Sequence, residues 1–313
     1  MLSINDNEIF KSFEPLALKT KQIYDYYVNF LPCMPISDNS FQSLYAWNSN
    51  FKSFYKIIYD HLCIFTFDKF SNKIYALPPI GNLGKKFFSK IVDSIYLDFK
   101  RNNLKCVFCN VPKFMLPIFE GLYGYSFSVE YDRNSSDYLY TKKNFIKGLK
   151  NFHSRKAISC FEKNPNLICR KMDENDINKV IYITKKFYCS RHKCKDCYDS
   201  CEIKIESSLM LAFKKLELLG NIIESHIEPL GFQIFYFQND IVFFISRKIC
   251  RKINGITKKM DLEIIKNFET KFLYANYTED LGIPGLRFQK EKIGRYILCN
   301  KYTIKLKKLE CKI

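Results

Sequence analysis

Two hydrophobic periods alternate along the first half of the chain. Short apolar runs at residues 61–67 and 106–109 have the length of strands, whereas apolar side chains recur at helical spacing over residues 85–101. A second stretch of helical spacing covers residues 144–161, and the breaker Asn164-Pro165-Asn166 follows it. These patterns predict strands interspersed with helices.

The second half repeats this succession of elements. The pattern predicts, in chain order, helices over residues 175–188 and 205–219, strands over 222–227, 231–237 and 241–246, a helix over 259–272 and one or two strands over 295–306. Gly220 is expected to end the second of these helices. Each half therefore predicts a mixed sheet flanked by helices, which is an α+β pattern. The expected domains are residues 1–163 and 164–313.

Composition is that of a globular protein. The 313 residues are 47% hydrophobic and 26% charged, with 11 Gly and 10 Pro, which excludes a disordered or collagen-like chain. The formal net charge of +18 is compatible with binding to nucleic acid or to an anionic membrane surface. The basic residues are 41 Lys and 9 Arg, a bias typical of AT-rich genomes, so the total charge alone does not establish a polyanionic partner.

The chain is expected to be a cytoplasmic protein without a transmembrane segment. No stretch reaches the roughly 18 apolar residues that a membrane-spanning helix needs. The first twenty residues include Asn5, Asp6, Asn7 and Glu8 and do not form a signal peptide. The 13 cysteines, an odd number, are not expected to form a disulfide framework, and most of them are expected to be small hydrophobic core residues.

A crowded group of metal-ligand residue types lies between two predicted helices. Its members are Cys189, His192, Cys194, Cys197 and Cys201. Cys194 and Cys197 have the spacing of a chelating pair, and the others could complete a tetrahedral zinc site. The longer loop that normally separates two ligand pairs is missing, so a Cys-rich loop without metal is an alternative. An iron–sulfur spacing is a third interpretation.

Residues 279–287, with the sequence EDLGIPGLR, combine charge with a Gly-Pro-Gly turn. Glu279 and Asp280 precede the turn, and Arg287 and Lys290 follow it. A carboxylate at this place could act as a general base, and Arg287 could hold a carboxylate or a phosphate with two hydrogen bonds. The alternative is a structural turn in which Asp280 caps backbone N–H groups and Arg287 pairs with Glu279.

A comparable polar turn in the first half, DRNSSDYLY at residues 132–140, leads into a predicted strand. Asp132, Arg133 and Asp137 supply its charges, and Tyr138 and Tyr140 are expected to share one face of the strand. These residues are candidates for substrate binding. The alternative is an Asx-type turn that enters a strand with a half-buried pair of tyrosines.

Basic residues follow on the next predicted helix, where His153, Arg155 and Lys156 lie within one turn. His153 and Lys156 can face the same anion, and the group could bind RNA phosphates. A solvated helix face is the alternative.

Five segments of the chain carry a family resemblance when they are taken in order and spacing. They are SDNSFQSLYAW at 37–47, LPPIG at 77–81, DRNSSDYLY at 132–140, LKNFHSRK at 149–156 and EDLGIPGLR at 279–287. With these segments the chain resembles proteins that contain the phosphatidylglycerol lysyltransferase C-terminal domain. The resemblance implies two tandem acyltransferase domains of the GNAT type and transfer of an amino acid from aminoacyl-tRNA. In the best-known members the acceptor is a membrane lipid, and here a small molecule or a lipid is left open.

The resemblance also implies a role for each of the candidate residues. Glu279 and Asp280 are the predicted catalytic residues, which would position the nucleophile. The predicted substrate-binding residues are Asp132, Arg133, Asp137, Tyr138, His153, Arg155, Lys156, Asn276, Arg287 and Lys290. Apart from the zinc interpretation no cofactor is expected. CoA is not expected because the Gln/Arg-x-x-Gly-x-Gly/Ala turn that would cradle its pyrophosphate is missing from the sequence.

The sequence departs from the family pattern at four places, one of which is Glu291-Lys292-Ile293-Gly294-Arg295, where a continuation toward Ser-Tyr-x-Pro is usual. Ala157 follows Arg155-Lys156, where further basic residues are usual. Arg247-Lys248 occupies the place of a frequent Glu-Lys pair, and Asn276-Tyr277 replaces Asn-Arg. These departures leave two alternatives to an aminoacyltransferase, namely an acyl-CoA-dependent N-acyltransferase and a non-catalytic binding protein on the same fold.

Overall fold

The computed structural model describes residues 13–31, 35–82, 85–190 and 202–309. The chain divides into two compact units. The first contains residues up to Ser135 and the stretch from Cys299 onward, and the second extends from Ser136 to Leu298. Across the described ranges, no helix combines the length and the hydrophobicity that crossing a membrane requires.

The first unit is built on a seven-stranded mixed sheet. Its strands are β1 (Glu14–Pro15), β2 (Phe51–Ile58), β3 (His61–Asp68), β4 (Lys73–Ala76), β5 (Val107–Pro112), β6 (Tyr125–Tyr131) and β14 (Lys301–Lys308). Their order is β1-β2-β3-β4-β5-β14-β6. The pair of β4 and β5 is parallel, whereas the other pairs are antiparallel. The helices are α1 (Thr20–Val28), α2 (Phe41–Ala46), α3 (Lys85–Arg101) and α4 (Leu116–Glu120).

Helix α3 connects the two parallel strands and supplies much of this unit's core. Its residues Phe88, Ile91 and Ile95 belong to one apolar cluster with Phe65 and Phe108 of the sheet. All five side chains are at most 1% exposed. Complete burial of a side chain of this size contributes about 1.5–3 kcal/mol, so the helical spacing of these residues has a large energetic consequence. The helix predicted over residues 85–101 is confirmed.

The second unit is also built on a seven-stranded sheet, whose order is β13-β7-β12-β11-β10-β9-β8. Its strands are β7 (Asp137–Thr141), β8 (Leu167–Lys171), β9 (Leu219–Ser225), β10 (Pro229–Gln238), β11 (Ile241–Ile249), β12 (Tyr274–Asn276) and β13 (Ile297–Cys299). The pair of β11 and β12 is parallel, and the helix between them connects the two strands. The helices are α5 (Lys142–Lys150), α6 (Phe152–Glu162), α7 (Ile177–Thr184), α8 (Glu202–Leu211), α9 (Ile256–Phe268) and α10 (Pro284–Glu291).

The compact units do not follow the division expected after residue 163. Strand β7 precedes that point by more than twenty residues, yet it pairs with β12, where Ala275 lies opposite Tyr140. Strand β14, at the other end of the chain, pairs with β5 and β6. Pairing between strands far apart in sequence leaves no trace in local periodicity, which explains why the division could not be placed from the pattern of apolar residues.

Two helix boundaries also differ from the prediction. The helix expected over residues 144–161 is interrupted at Asn151, whose extended backbone ends α5 and whose side chain accepts a hydrogen bond from the Ser154 N–H, capping α6. The helix expected over residues 205–219 ends at Leu211. Gly220 lies inside β9, where a Cβ atom would come within 2.4 Å of the Met172 Cε atom. Close packing, and not helix termination, accounts for this glycine.

Candidate functional site

The two parallel strands of the second unit are paired along only part of β11, and we call the point where their pairing ends the opening. The register between β11 and β12 covers three residue pairs and ends with Phe243 opposite Asn276, whereas β11 continues along β10 to Ile249. A β-bulge follows in β11, because Phe235 is opposite Phe244 but Ile234 is opposite Ser246. Beyond the point where the pairing with β12 ends, side chains of β11 lie on both faces of the sheet, and the bulge changes which face each of them takes.

On the α9 side of the sheet, the bulge brings Arg247 to the same face as Phe244. The Arg247 guanidinium lies 5.2 Å from the ring centroids of Phe244 and Tyr277, within the range of cation–π contacts. It also donates to Asp261 on α9 through Nη2, at 2.6 Å from Oδ1. Without the bulge, residues 244 and 247 would point to opposite faces of the strand.

A row of polar side chains continues from Arg247 across the sheet. Arg247 lies opposite Gln233 on β10, and Gln233 lies opposite Asn221 on β9, so the three share one face. The Asn221 side chain donates to the Met260 carbonyl, which places α9 over the row. We call Asn221, Gln233, Arg247, Asp261 and Tyr277 the Arg247 row. Gln233 is fully buried and Asp261 is 1% exposed.

Four polar atoms of the Arg247 row have no hydrogen-bond partner among the residues that the structure describes. They are Nε2 and Oε1 of Gln233, Nε of Arg247 and Oδ2 of Asp261. A buried donor or acceptor that is left unsatisfied costs about 1–3 kcal/mol. The row is therefore a place where the fold gives up stability.

The electrostatics of the Arg247 row are those of a charged, desolvated site. Burial alone would lower the pKa of Arg247, but the Asp261 carboxylate outweighs it and holds the pKa above its ordinary value. Burial and the charge of Asp261 raise the pKa of Tyr277 well above its ordinary value. Burial lowers the pKa of the neighbouring Lys258, and the charge of Arg247 adds to that effect. Arg247 is thus a permanent cation and Tyr277 a neutral phenol at neutral pH.

On the opposite face of β11, Ser246 and Lys248 contact two carboxylates of α8. Glu202 and Glu206 are one helical turn apart and share a face of that helix. The Ser246 hydroxyl donates to Glu206 Oε1 at 2.5 Å, and Lys248 Nζ lies 3.1 Å from Glu202 Oε2 and 3.3 Å from Glu206 Oε1. We call these four residues the Lys248 cluster.

Charge in the Lys248 cluster is also held out of water. Glu206 is fully buried, and burial raises the pKa of its carboxyl group. Burial alone would lower the pKa of Lys248, but the charges of Glu206 and Glu202 outweigh it and raise the pKa. The Lys248 ammonium also lies 4.8 Å from the centroid of the Tyr188 ring. The cluster fixes the Lys248 ammonium group beside the opening.

A third polar group, which we call the Asp280 network, contains most of the residues predicted from the loop at 279–287. Asp280 is fully buried and accepts hydrogen bonds from Tyr138, Gly282 and Arg287. The donors are the Tyr138 hydroxyl at 2.6 Å, the Gly282 N–H at 2.8 Å, and Arg287 through Nε at 3.0 Å and Nη2 at 3.1 Å. Arg287 therefore pairs with Asp280, the second carboxylate of the segment.

The same network joins β7 to β12 and to α10. Asn276 Nδ2 donates to Asp137 Oδ2 at 2.9 Å, and the Tyr140 hydroxyl donates to the Lys290 carbonyl at 2.7 Å. Lys290 Nζ donates to the Tyr277 carbonyl at 2.6 Å and also to the Glu279 carbonyl. Tyr277 thus follows β12 with its backbone held by the Asp280 network and its ring in the Arg247 row. Because hydrogen-bond donors already occupy the Asp280 carboxylate, the Asp280 network is suited to hold the chain beside the opening in place.

The other predicted residues lie outside this network. Asp132 accepts hydrogen bonds from the Asn134 N–H at 2.9 Å and the Ser135 hydroxyl at 2.7 Å in the first unit, which is the Asx-type turn of the alternative interpretation. Arg133 occupies the short 3₁₀ helix of that turn. The remaining three predicted residues, on α6, are exposed: His153, Arg155 and Lys156.

Of the predicted metal ligands, only Cys189 is in the described part of the chain, where it is buried. His192, Cys194, Cys197 and Cys201 lie outside the described residues. Within the described ranges, no group of three or more His, Cys, Asp or Glu side chains could hold a metal ion. The zinc interpretation of the Cys-rich segment stays a prediction.

Sequence reasoning missed the residues that give the opening its polarity. Gln233, Asp261, Ser246 and Glu206 stood out in no motif. One signal was available, since Gln233 interrupts the apolar run GFQIFYF of a buried strand, and a fully buried polar side chain calls for a partner. The bulge that turns Arg247 toward α9 has no sequence signal of this kind.

Comparison with known proteins gives the family and the fold. Residues 34–293 match the family model described as "Phosphatidylglycerol lysyltransferase, C-terminal". A conserved protein of unknown function from Bacteroides thetaiotaomicron is similar in structure, with a TM-score of 0.84 at 19% identity over 94% of this chain and 99% of that one. A search of curated proteins by sequence gave no match.

Two further solved structures share the fold. L-PGS from Bacillus licheniformis aligns with a TM-score of 0.60 at 12% identity, over 84% of this chain and 86% of that one. A tandem GNAT protein from the clavulanic acid biosynthesis pathway aligns with a TM-score of 0.52 at 5% identity, over 96% of this chain and 99% of that one. The expected α+β fold of two tandem GNAT-like domains is confirmed.

Proposed function

The chain belongs to the family of phosphatidylglycerol lysyltransferase C-terminal domains, and we propose on this basis that it transfers an aminoacyl group from aminoacyl-tRNA to a hydroxyl or amine acceptor. The observation that carries the proposal is the opening between β11 and β12. Two cations, Arg247 and Lys248, are fixed there on opposite faces of one strand.

The proposed reaction is an acyl transfer at the ester carbonyl of the donor. The acceptor oxygen or nitrogen attacks that carbon and forms the new C–O or C–N bond. The bond between the carbonyl carbon and the ribose oxygen of the tRNA breaks, and the ribose oxygen takes up the proton that the acceptor loses. The tetrahedral intermediate carries a negative charge, which backbone N–H groups of β11 beyond Phe243 would stabilise.

The residues predicted from the sequence take different parts in this proposal. Asp280 is proposed as a positioning residue, because it holds Tyr138 and Arg287 and so fixes the chain that follows β12. Glu279 is the remaining candidate for contact with the nucleophile. His153, Arg155 and Lys156 are proposed to bind tRNA phosphates, because all three are exposed on α6.

A transfer assay with radiolabelled donors tests the proposal. Purified protein is incubated with tRNA charged with each amino acid in turn, together with vesicles of anionic phospholipid in one arm and a mixture of small amines and alcohols in another. Label that moves from tRNA into an acceptor supports the proposal. Label that moves only from acetyl-CoA, or from no donor to any acceptor, would contradict it.

A matched pair of variants ties the assay to the opening. Arg247→Gln is expected to lower the transfer rate by a factor of ten or more, roughly the effect of removing one charged interaction from a transition state. Arg251→Gln replaces an exposed arginine four positions further on and is expected to leave the rate unchanged. Equal rates for the two variants would separate the activity from this site.

A further inference from the structure

The corner between α5 and α6 concentrates positive charge. Residues 141–161 contain five Lys and one Arg but neither Asp nor Glu, so this segment supplies six of the 18 net positive charges. A bias toward Lys along the whole chain does not account for a segment without acidic residues. We call five of its residues the α5–α6 corner, and all of their side chains are exposed: Lys147, Lys150, Phe152, Arg155 and Lys156.

The four cations of the corner have no ion-pair partner among the residues that the structure describes. Glu162, the first carboxylate after the corner, lies 2.9 Å from Lys259 of α9 instead. Helix α6 also has no acidic side chain in its first turn, where the helix dipole favours one and disfavours cations. The described residues therefore leave the positive charge at the start of α6 uncompensated, and an anionic partner would compensate it.

An aromatic side chain lies among these cations. Phe152 is the first residue of α6 and is 68% exposed, and its ring centroid lies 5.7 Å from that of His153 in an edge-on arrangement. Single exposed apolar side chains are common, so exposure alone indicates no function. Here Lys150 precedes the ring by two positions, and Lys156 follows it by one helical turn on the same face. Proteins bind unpaired nucleotides with this combination, since an aromatic ring stacks on a base while cations contact the phosphates.

The backbone of the corner is held by its own hydrogen bonds. The Asn151 side chain accepts from the Ser154 N–H at 2.8 Å, and the Ser154 hydroxyl donates to the Gly148 carbonyl at 2.7 Å. Helix α5 is also closely packed at Gly148, where a Cβ atom would overlap the Ile293 carbonyl oxygen. The backbone that carries Phe152 is therefore fixed before a ligand arrives, which lowers the entropy cost of binding.

A single exposed ring favours a polynucleotide over a lipid surface as the partner. Helices that lie on membranes bury a row of apolar side chains in the lipid. On α5 and α6, both of which are described in full, Phe152 is the only large apolar side chain that is exposed. One ring offers little area to a lipid surface, whereas it is sufficient to stack on one base.

We propose, resting on the proposed function for the source of the RNA, that the α5–α6 corner binds the single-stranded end of the aminoacyl-tRNA donor. The Phe152 ring stacks on an unpaired base, and the four cations contact the neighbouring phosphates. A duplex keeps its bases stacked on one another, so it would contact the cations but not the ring. Phe152 therefore makes the corner selective for unpaired nucleotides.

Fluorescence anisotropy with three labelled probes tests the stacking without any transfer reaction. The probes are a short single-stranded RNA, an RNA duplex, and polyphosphate, which carries charge but no bases. Phe152→Ala is expected to weaken the single strand at least about fivefold, the lower end of the loss for one stacked base, and to leave the other two probes unchanged. Phe152→Trp should retain the affinity of the parent protein.

The matched control for the ring is Phe288→Ala, because Phe288 is 53% exposed on α10 of the same unit. This substitution is expected to leave all three probes unchanged. Equal losses for the single strand and the duplex in Phe152→Ala, or no loss for either, would overturn the inference. Binding of anionic phospholipid vesicles without binding of RNA would also overturn it and would identify a membrane surface as the partner.

Substitutions of the lysines test the phosphate contacts. Lys147→Gln and Lys150→Gln should each decrease the slope of log affinity against log salt for the single strand by about 0.7. Lys204→Gln, which replaces an exposed lysine of α8, is the matched control and should keep the slope of the parent protein. An unchanged slope in both corner variants would contradict the phosphate contacts.

The transfer assay separates failure of this inference from failure of the proposed function. If both hold, Phe152→Ala raises KM for the aminoacyl-tRNA at least about fivefold and leaves kcat unchanged. Binding of the single strand that depends on Phe152, without transfer from any aminoacyl-tRNA, would retain the RNA site and contradict the proposed function. Transfer with an unchanged KM in Phe152→Ala would retain the enzyme and overturn the inference.

Discussion

The two units connect their parallel strands in the same way but use the connection differently. In the first unit α3 joins β4 to β5, and in the second α9 joins β11 to β12. Helix α3 packs Phe88, Ile91 and Ile95 into an entirely apolar cluster. Helix α9 instead places Asp261 over a row of polar side chains, although Met260 and Ile264 on the same helix are buried in apolar clusters.

This contrast shows which features of the helix between two parallel strands stabilise the fold and which are additional to stability. The apolar cluster of the first unit shows that the connection can be built without buried polar groups. In the second unit, the Arg247 row leaves four polar atoms without a hydrogen-bond partner among the described residues, at a cost of about 1–3 kcal/mol each. Such local losses of stability are expected where a ligand completes the hydrogen bonding.

The largest effect is expected from the core of the first unit. Phe108→Ala should lower the free energy of unfolding of this unit by about 3–5 kcal/mol, because a fully buried ring is replaced by a cavity. Denaturant unfolding, followed by far-UV circular dichroism, measures the loss. A loss of stability under about 1 kcal/mol would contradict the assignment of this cluster as the stabilising core.

A smaller loss is expected from the Asp280 network. Asp280→Asn keeps the shape of the side chain but removes the charge that receives Tyr138 and Arg287. Hydrogen bonds to a charged group contribute about 1.5–3 kcal/mol, so the free energy of unfolding of the second unit should fall by roughly that amount. Glu279→Gln, its sequence neighbour, is the matched control for stability. Equal losses in the free energy of unfolding for the two substitutions would contradict the stabilising role given to Asp280.

The Lys248 cluster predicts a pH dependence that its neutral variant lacks. Burial raises the pKa of Glu206 in the folded protein above its unfolded value. The charge of Lys248 lowers this pKa, and the like charge of Glu202 raises it, so that the net shift is upward. As the pH rises, the unfolded chain therefore loses the Glu206 proton at a lower pH than the folded protein does. The contribution to stability is fully present below the unfolded pKa of about 4.3 and is lost as pH rises through the raised native pKa.

Glu206→Gln should remove that fall in stability with rising pH. The measurement is the midpoint of urea unfolding at a series of pH values from about 4 upward, since a shift in midpoint without a change in slope reports stability. Glu263→Gln, a surface carboxylate of α9, should keep the pH dependence of the parent protein. A Glu206→Gln profile that is parallel to the parent's would show that Glu206 is not the titrating group.

The smallest effect on stability is expected on the exposed face of α6. Arg155→Gln and Lys156→Gln should change the free energy of unfolding by less than about 0.5 kcal/mol, since both side chains are exposed. If the face binds tRNA, each substitution that removes a phosphate interaction should decrease the slope of log affinity against log salt by about 0.7–0.9. Filter binding at several salt concentrations measures it. An unchanged slope would leave these residues as a solvated face.

The sequence predicted the parts of this molecule that depend on local pattern. The spacing of Phe88, Ile91 and Ile95 predicted α3, and residues 279–290 were grouped as one constellation, of which Asp280 and Arg287 are hydrogen-bonded to each other in the structure. The break at Asn151 was missed because apolar residues continue at similar spacing in α5 and α6, while a single capping side chain decides the boundary.

The Arg247 row could not be predicted for a different reason. It depends on register across β9, β10 and β11, on one bulge, and on the position of α9 above the sheet. Each of these is a relation between segments far apart in sequence. Only the polar residue Gln233 inside an apolar strand gave a local signal, and its partners became visible when the strands were placed side by side.

The most direct test of the central claim is the free energy of unfolding of Gln233→Met, measured by denaturant unfolding. If the Arg247 row gives up stability, removal of two unsatisfied polar atoms at nearly constant volume should raise the free energy of unfolding of the second unit by about 1–3 kcal/mol. A variant that is less stable than the parent would show that Gln233 is an ordinary structural residue and would contradict the account.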